Sequence, residues 1–366
     1  MPPPKNISKE LRRKLWLENH RKKIERHRVK RRKKKKEKLK LELHKIGSIS
    51  RRHPSVKRHR NRSVGISLPR SLDFEENYEI TAEKLGAIRK AVDSGLKIKT
   101  IDFSELREIS ASAALVLAST VDQWREKVAG KIKANLPSWD ESIIAQLHEM
   151  GYFTLLNIPE PQGSLPKSDV SFLQFEREIA ASNSSGETAI ELRIGIEKMV
   201  GSTIQKHYLF EGISEAVTNV SQHAYPESLG EQPKYWWVSA SFNKLTRELN
   251  VTFYDRGTGI PNTLQSHRFF ERFRDQFDNW KDSAKIKAAM EIGRTSSGLE
   301  ERGKGLQNLL QFAKAHKKGK LSVKSLKGIY QEVFLTDAQG NQTVKKNKID
   351  HEYSIGGTLI EWSVYI

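Results

Sequence analysis

The excess positive charge of this chain is confined to one end, and that limits where a core can form. Residues 1–62 hold 26 of the 64 Lys and Arg but only 5 of the 44 Asp and Glu, a net +21. The rest of the 366 residues carries −1. Within the basic segment, Lys30 to Lys36 is an unbroken cationic run. Its apolar positions, Leu11, Leu15 and Ile24 among them, keep no sustained heptad spacing, which argues against a coiled coil. Ser8 could cap a helix, and no Pro or Gly interrupts from there to Gly47. The expectation is a basic arm over residues 1–64, helical or disordered. An anionic polymer would relieve its self-repulsion and release counterions. Nucleic acid or an acidic protein surface, met through residues 5–62, is therefore the expected partner; a solvated basic tail is the plainer alternative. Trp16 is the only aromatic residue of the arm, which favours phosphate contact over base reading.

The near-neutral remainder is long enough for two ordinary domains. The chain has no cysteine, so disulfides and thiolate metal sites are excluded. Ala111 to Ala118 is far too short a run to span a bilayer, and the first thirty residues lack the apolar core of a secretory signal. A cytoplasmic protein without a membrane span is expected. From Gly65 to about Ile158 the pattern is βαβα. Lys97 to Phe103 alternates as a strand, Ser110 to Lys127 reads as a helix, and Glu141 to Met150 is a second helix stopped by Gly151. Leu155 to Ile158 reads as a short strand. That order predicts a small α/β domain over 65–158. Pro159 to Pro166 begins a linker assigned to residues 159–171.

Four motifs in the last part of the chain carry chemistry. Glu215, Asn219 and His223 fall four residues apart, on one stripe of a helix whose other stripe is Leu209, Ile213, Val217 and Val220. Glu215 could polarise a water and Asn219 could offer a hard oxygen to Mg²⁺. Leu249 to Asp255 alternates as a strand and breaks at Asp255, Gly257 and Gly259. Asp255 could accept a hydrogen bond from an exocyclic amine, and the glycines would let backbone approach a ring or phosphate; a hairpin turn is the alternative. Arg302-Gly303-Lys304-Gly305-Leu306 leads into a helix, an arrangement that exposes N–H groups to an anion. Gly356-Gly357-Thr358 opens a last strand, where the Thr358 hydroxyl could lie beside a base.

Taken in order, these blocks resemble the ATP-binding domain of the GHKL superfamily, and more closely its anti-sigma-factor serine-kinase branch. The resemblance covers roughly 172–366. It implies a Bergerat-type α/β sandwich with a mixed sheet of four or five strands, helices on one face, and ATP–Mg²⁺ held under a mobile lid within Asn262 to Arg302. It also implies roles: Asn219 for Mg²⁺, Asp255 for adenine, Gly303 and Gly305 for phosphate, and Glu215 as general base. Here Gln307 follows Leu306 and Lys304 separates the glycines, a departure from the usual Gly-x-Gly-Leu-Gly. The stretch Ile101 to Ala114 resembles a STAS domain, a likeness that extends over residues 65–158; the family's Asp-Ser-Ser-Gly is here Ser110-Ala111-Ser112-Ala113. That resemblance implies a protein-interaction surface. The whole would be a nucleotide-driven switch with slow ATPase activity, and the resemblance allows a homodimer. The rivals are a protein serine/threonine kinase and a non-hydrolysing ATP sensor.

Overall fold

The computed structural model describes residues 63–94, 97–127, 134–180, 185–204, 206–225, 233–264, 280–295 and 305–366. Asn61–Ile366 form one compact unit of mixed α/β structure. Its first part contains β1 (Ser63–Ser67), β2 (Ser71–Leu72), α1 (Tyr78–Asp93), β3 (Lys97–Asp102), β4 (Glu108–Ile109), α2 (Ala111–Lys127), α3 (Glu141–Glu149) and α4 (Tyr152–Leu156). β1 pairs with β3 and β2 with β4, both in parallel. Leu85, Ile88 and Val92 of α1 recur at helical spacing and are buried against Leu115, Val116 and Trp124 of α2 and their neighbours. Asp140 caps α3 by accepting a hydrogen bond from the Ser142 N–H. The strand expected at Leu155 to Ile158 is instead the end of α4 and its cap. Gly151 and Asn157 both adopt left-handed backbone, which starts and stops a single buried turn there.

The second part adds β5 (Val170–Phe172), β6 (Glu176–Ile179), α5 (Ser185–Val200), α6 (Lys206–Asn219), β7 (Tyr235–Asn243), β8 (Glu248–Asp255), α7 (Ile260–Thr263), α8 (Asp282–Thr295), α9 (Gly305–Lys314), β9 (Lys318–Ser325), β10 (Gly328–Thr336), β11 (Gln342–Asp350) and β12 (Thr358–Tyr365). The sheet order is β11-β10-β9-β12-β8-β7-β5, with β6 also on β7. Every pairing in it is antiparallel. This corrects the expected mixed sheet of four or five strands: the described residues supply eight. The reason is local. β7–β8, β9–β10 and β10–β11 are hairpins, and a hairpin can only give antiparallel neighbours. The margins gain β11 and β5, the latter reaching back into the segment assigned to the linker.

Helices cover both faces of this sheet, not one. Trp236, Val251, Phe253, Val323, Ile360 and Trp362 face a core shared with α5, α6, α8 and α9. Trp237, Tyr254, Ile329 and Leu359 face the core of the first part, beneath α1 and α2. Trp236 and Trp237 thus lie on opposite faces, as strand alternation requires, and both are buried. No helix among the described residues is long and apolar enough to cross a membrane.

Candidate functional site

α6 places Glu215 and Asn219 one turn apart, while Leu209, Ile213, Val217 and Val220 are buried along its other stripe. Asn219 Nδ2 donates to Glu215 Oε1 at 3.1 Å. Partial burial pushes the Glu215 carboxyl upward, and this bond opposes the shift. With its nitrogen so engaged, Asn219 keeps its carbonyl oxygen for another partner. One hard oxygen suits Mg²⁺, which usually takes few protein ligands and completes its shell with water and phosphate. Among the described residues no group of three or more His, Asp or Glu is placed to hold a metal by itself.

After Asn219 the helix loosens into a π-helical turn, Val220–Ala224. Such turns re-aim backbone groups, and here the Ala224 carbonyl leaves the helix ladder. It accepts from the Thr258 N–H at 2.8 Å and the Thr258 hydroxyl at 3.3 Å. The loop after β8 therefore rests on the end of the helix that carries Glu215 and Asn219. A Cβ on Gly257 would collide with the Ala224 carbonyl, whose carbon would be 2.8 Å away. Gly257→Ala is accordingly expected to destabilise the protein by about 1–3 kcal/mol, measurable by denaturant unfolding. Wild-type stability in this variant would mean that the loop and helix end are not held together. Gly259 has φ 86, in the left-handed region that glycine tolerates.

Asp255 ends β8 on the face shared with α5, α6, α8 and α9, in line with Val251 and Phe253. The register puts it opposite Thr358, and Thr358 opposite Ser325, a polar row across three strands. Asp255 is buried and accepts from the Gly257 N–H at 2.7 Å and from the Thr358 hydroxyl. Burial pushes its carboxyl up to about 7, against those two bonds. No ion pair reaches it among the described residues. The adjacent Arg256 turns away, to Gln123 and to Asp93 at 3.4 Å. Ser325 Oγ lies 3.0 Å from Thr358 Oγ1, donates to the Gly357 carbonyl, and accepts from the Ile260 N–H. The motif reading missed Ser325. Its signal was an inward polar residue closing the alternation Leu321, Val323, Ser325.

The structure thus brings Asp255, Gly257, Gly259 and Thr358 together beside the end of the Glu215–Asn219 helix. Gly305 opens α9 and Leu306 follows in its first turn. α9 packs along α6, and its Leu309 carbonyl accepts from Trp362 Nε1 at 2.7 Å. Arg302, Gly303 and Lys304 lie outside the described residues, as do Phe269, Phe270, Phe273 and Phe277 of the expected lid. His223 is exposed on the π turn. A cavity of about 600 Å³ lies elsewhere, lined by Arg107, Ser110, Ser142, Gln146, Lys167 and Asp169 among others. Ser110 accepts from the Ala113 N–H at the start of α2, whereas Ser112 is buried. Neither a scan of protein-family models nor a search of curated proteins finds a match to this chain.

Proposed function

We propose that residues 172–366 bind ATP–Mg²⁺ in the manner of GHKL domains and hydrolyse it slowly, and that the chain works as a nucleotide-driven switch. The observation that carries this reading is Asp255: a buried carboxylate at a strand end, with no cation paired to it among the described residues, backed by Thr358. Such a group lacks a donor strong enough to offset its desolvation. The exocyclic amine of adenine would supply one, and a guanine carbonyl at the same place would repel it. Gly257 and Gly259 let the loop after β8 pack closely on Ala224 and on Ser325 and Leu326, which fixes the backbone beside Asp255. On the phosphate side, Asn219 would hold Mg²⁺ through its carbonyl oxygen, and the ion would offset phosphate charge. Glu215 sits one turn away, its raised pKa making it the stronger base for a water proton. Backbone N–H groups of Gly303 and Gly305, with Arg302 and Lys304, would meet the phosphates at the start of α9.

Incubation with radiolabelled ATP tests this directly. Free phosphate supports the ATPase, label on protein supports a serine/threonine kinase, and binding without either supports a sensor. Asn219→Ala should remove Mg²⁺-dependent binding. Glu215→Ala should keep ATP affinity and lose about a hundredfold or more in turnover, because a general base acts mainly in the transition state. Unchanged turnover in that variant would assign the water to another group.

A further inference from the structure

The loops around Asp255 and Thr358 are held from behind by one stripe of α1, a helix of the first part of the chain. Gly86, Arg89 and Asp93 follow each other at three- and four-residue spacing along that helix, and Glu79, beside Tyr78, lies two turns before Gly86. Tyr78 stacks on His351 with ring centres 3.6 Å apart. Glu79 accepts from His351 Nδ1 and from the N–H groups of Glu352 and Tyr353, at 3.0, 3.0 and 3.2 Å. Gly86 approaches the Ser354 carbonyl. Arg89 Nη1 donates to the Ile355 carbonyl at 2.5 Å. A Cβ on Gly356, which has φ 64, would overlap the Arg89 guanidinium. Asp93 meets Arg256, whose side chain is only 8% exposed and also donates to Gln123 of α2. Arg256 is flanked by Asp255 and Gly257, and Gly356 lies two residues before Thr358. Tyr254 Oη completes the tie by donating to the Ile355 and Gly356 carbonyls.

The same sheet face could be covered by any apolar layer. Instead, two arginines join the first part of the chain to the two segments that flank Asp255 and Thr358. We propose that α1 is the template on which the base side of the nucleotide site is set. Arg89 and Arg256 are its positioning residues, through which the first part of the chain governs nucleotide affinity. This rests on the nucleotide reading given above. A partner that shifts α1 would loosen both loops at once and release nucleotide. Coupling of this kind between two sites commonly amounts to about 5- to 150-fold in affinity.

The test uses the full chain with Arg89→Ala, Arg89→Lys, Arg256→Ala and Gln123→Ala. ATP–Mg²⁺ affinity is measured by calorimetry, and amide hydrogen exchange is followed without nucleotide. Arg89→Ala and Arg256→Ala should each weaken ATP about tenfold. Both should speed exchange at 255–259 and 355–358 while the strands of the sheet stay protected. Arg89→Lys should recover part of the affinity, since an ammonium can still donate to the Ile355 carbonyl. Gln123→Ala, which removes one acceptor and no charge, covers the case in which an arginine variant fails to fold. Folded variants with wild-type affinity and wild-type exchange in both loops would overturn the proposal and leave the nucleotide reading standing. A wild type that binds no ATP would overturn that reading instead. The exchange rates would then still decide whether α1 sets the two loops.

Discussion

Asp255→Asn is expected to make the nucleotide-free protein more stable at pH 8 and a poorer binder of ATP. Burial holds this carboxyl at about 7, above its ordinary 3.8. Between those values the folded protein keeps the proton and the unfolded chain does not. Stability therefore falls as pH rises through that window, and the full cost is present above about 7. The shift corresponds to about 4 kcal/mol at most. Asparagine carries no charge and keeps an oxygen for the Gly257 N–H, but its amide hydrogens need acceptors in the same place. A gain on the order of 2 kcal/mol at pH 8 is expected, smaller by more than half at pH 5 and lost toward pH 4, where the unfolded chain also keeps the proton. The amide nitrogen would also face the adenine amine, donor against donor. ATP affinity should fall by about tenfold or more, with weaker preference for adenine over guanine. Denaturant unfolding at the two pH values and calorimetry with both nucleotides check this. A gain that is equal at both pH values would mean that Asp255 does not titrate as a buried acid. Unchanged ATP affinity would remove it from the base site.

The elements that position the candidate site were legible where periodicity is strong. The alternation of Leu249 to Asp255 and the apolar stripe of Leu209, Ile213, Val217 and Val220 each describe one face of one element. The four apolar or polar residues from Leu155 to Ile158 were not legible. A run that short has no period, and the left-handed Gly151 and Asn157 made it a helix turn. The size of the sheet was hidden because β11 has a mostly exposed, lysine-rich pattern, which reads as loop from sequence. The alternation of β9 marks Ser325 as inward, but only the register of β9 on β12 puts it beside Thr358. The hold of α1 on residues 351–356 was out of reach for the same reason: its partners are more than 250 residues apart, as with Arg89 and Ile355 at a separation of 266. Local pattern names the candidate residues of a site, and long-range register decides which of them meet.

Removal of residues 1–62 should abolish nucleic-acid binding and leave ATP binding intact. The deleted segment carries a net +21 and the remainder −1, so the electrostatic drive toward phosphate lies wholly in the arm. Asn61–Ile366 form a compact unit with their own cores, and the candidate nucleotide residues all belong to it. For the full chain, affinity for duplex DNA or RNA should fall linearly on a log–log plot against salt. Each neutralised phosphate contributes about −0.9 to the slope on B-DNA. If the arm makes six to ten such contacts, affinity should drop by about 10³- to 10⁵-fold between 50 and 200 mM salt. Sequence preference should be slight, because lysine and arginine contacts to phosphate position a protein without reading bases. Gel-shift titrations over a salt range, with and without the arm, give both quantities. An acidic protein as the true partner would show the same salt dependence with an anionic polypeptide and little affinity for either nucleic acid. Binding to DNA or RNA that survives the deletion, or that ignores salt, would put the nucleic-acid surface on the near-neutral part of the chain, where charge gives no reason to expect it.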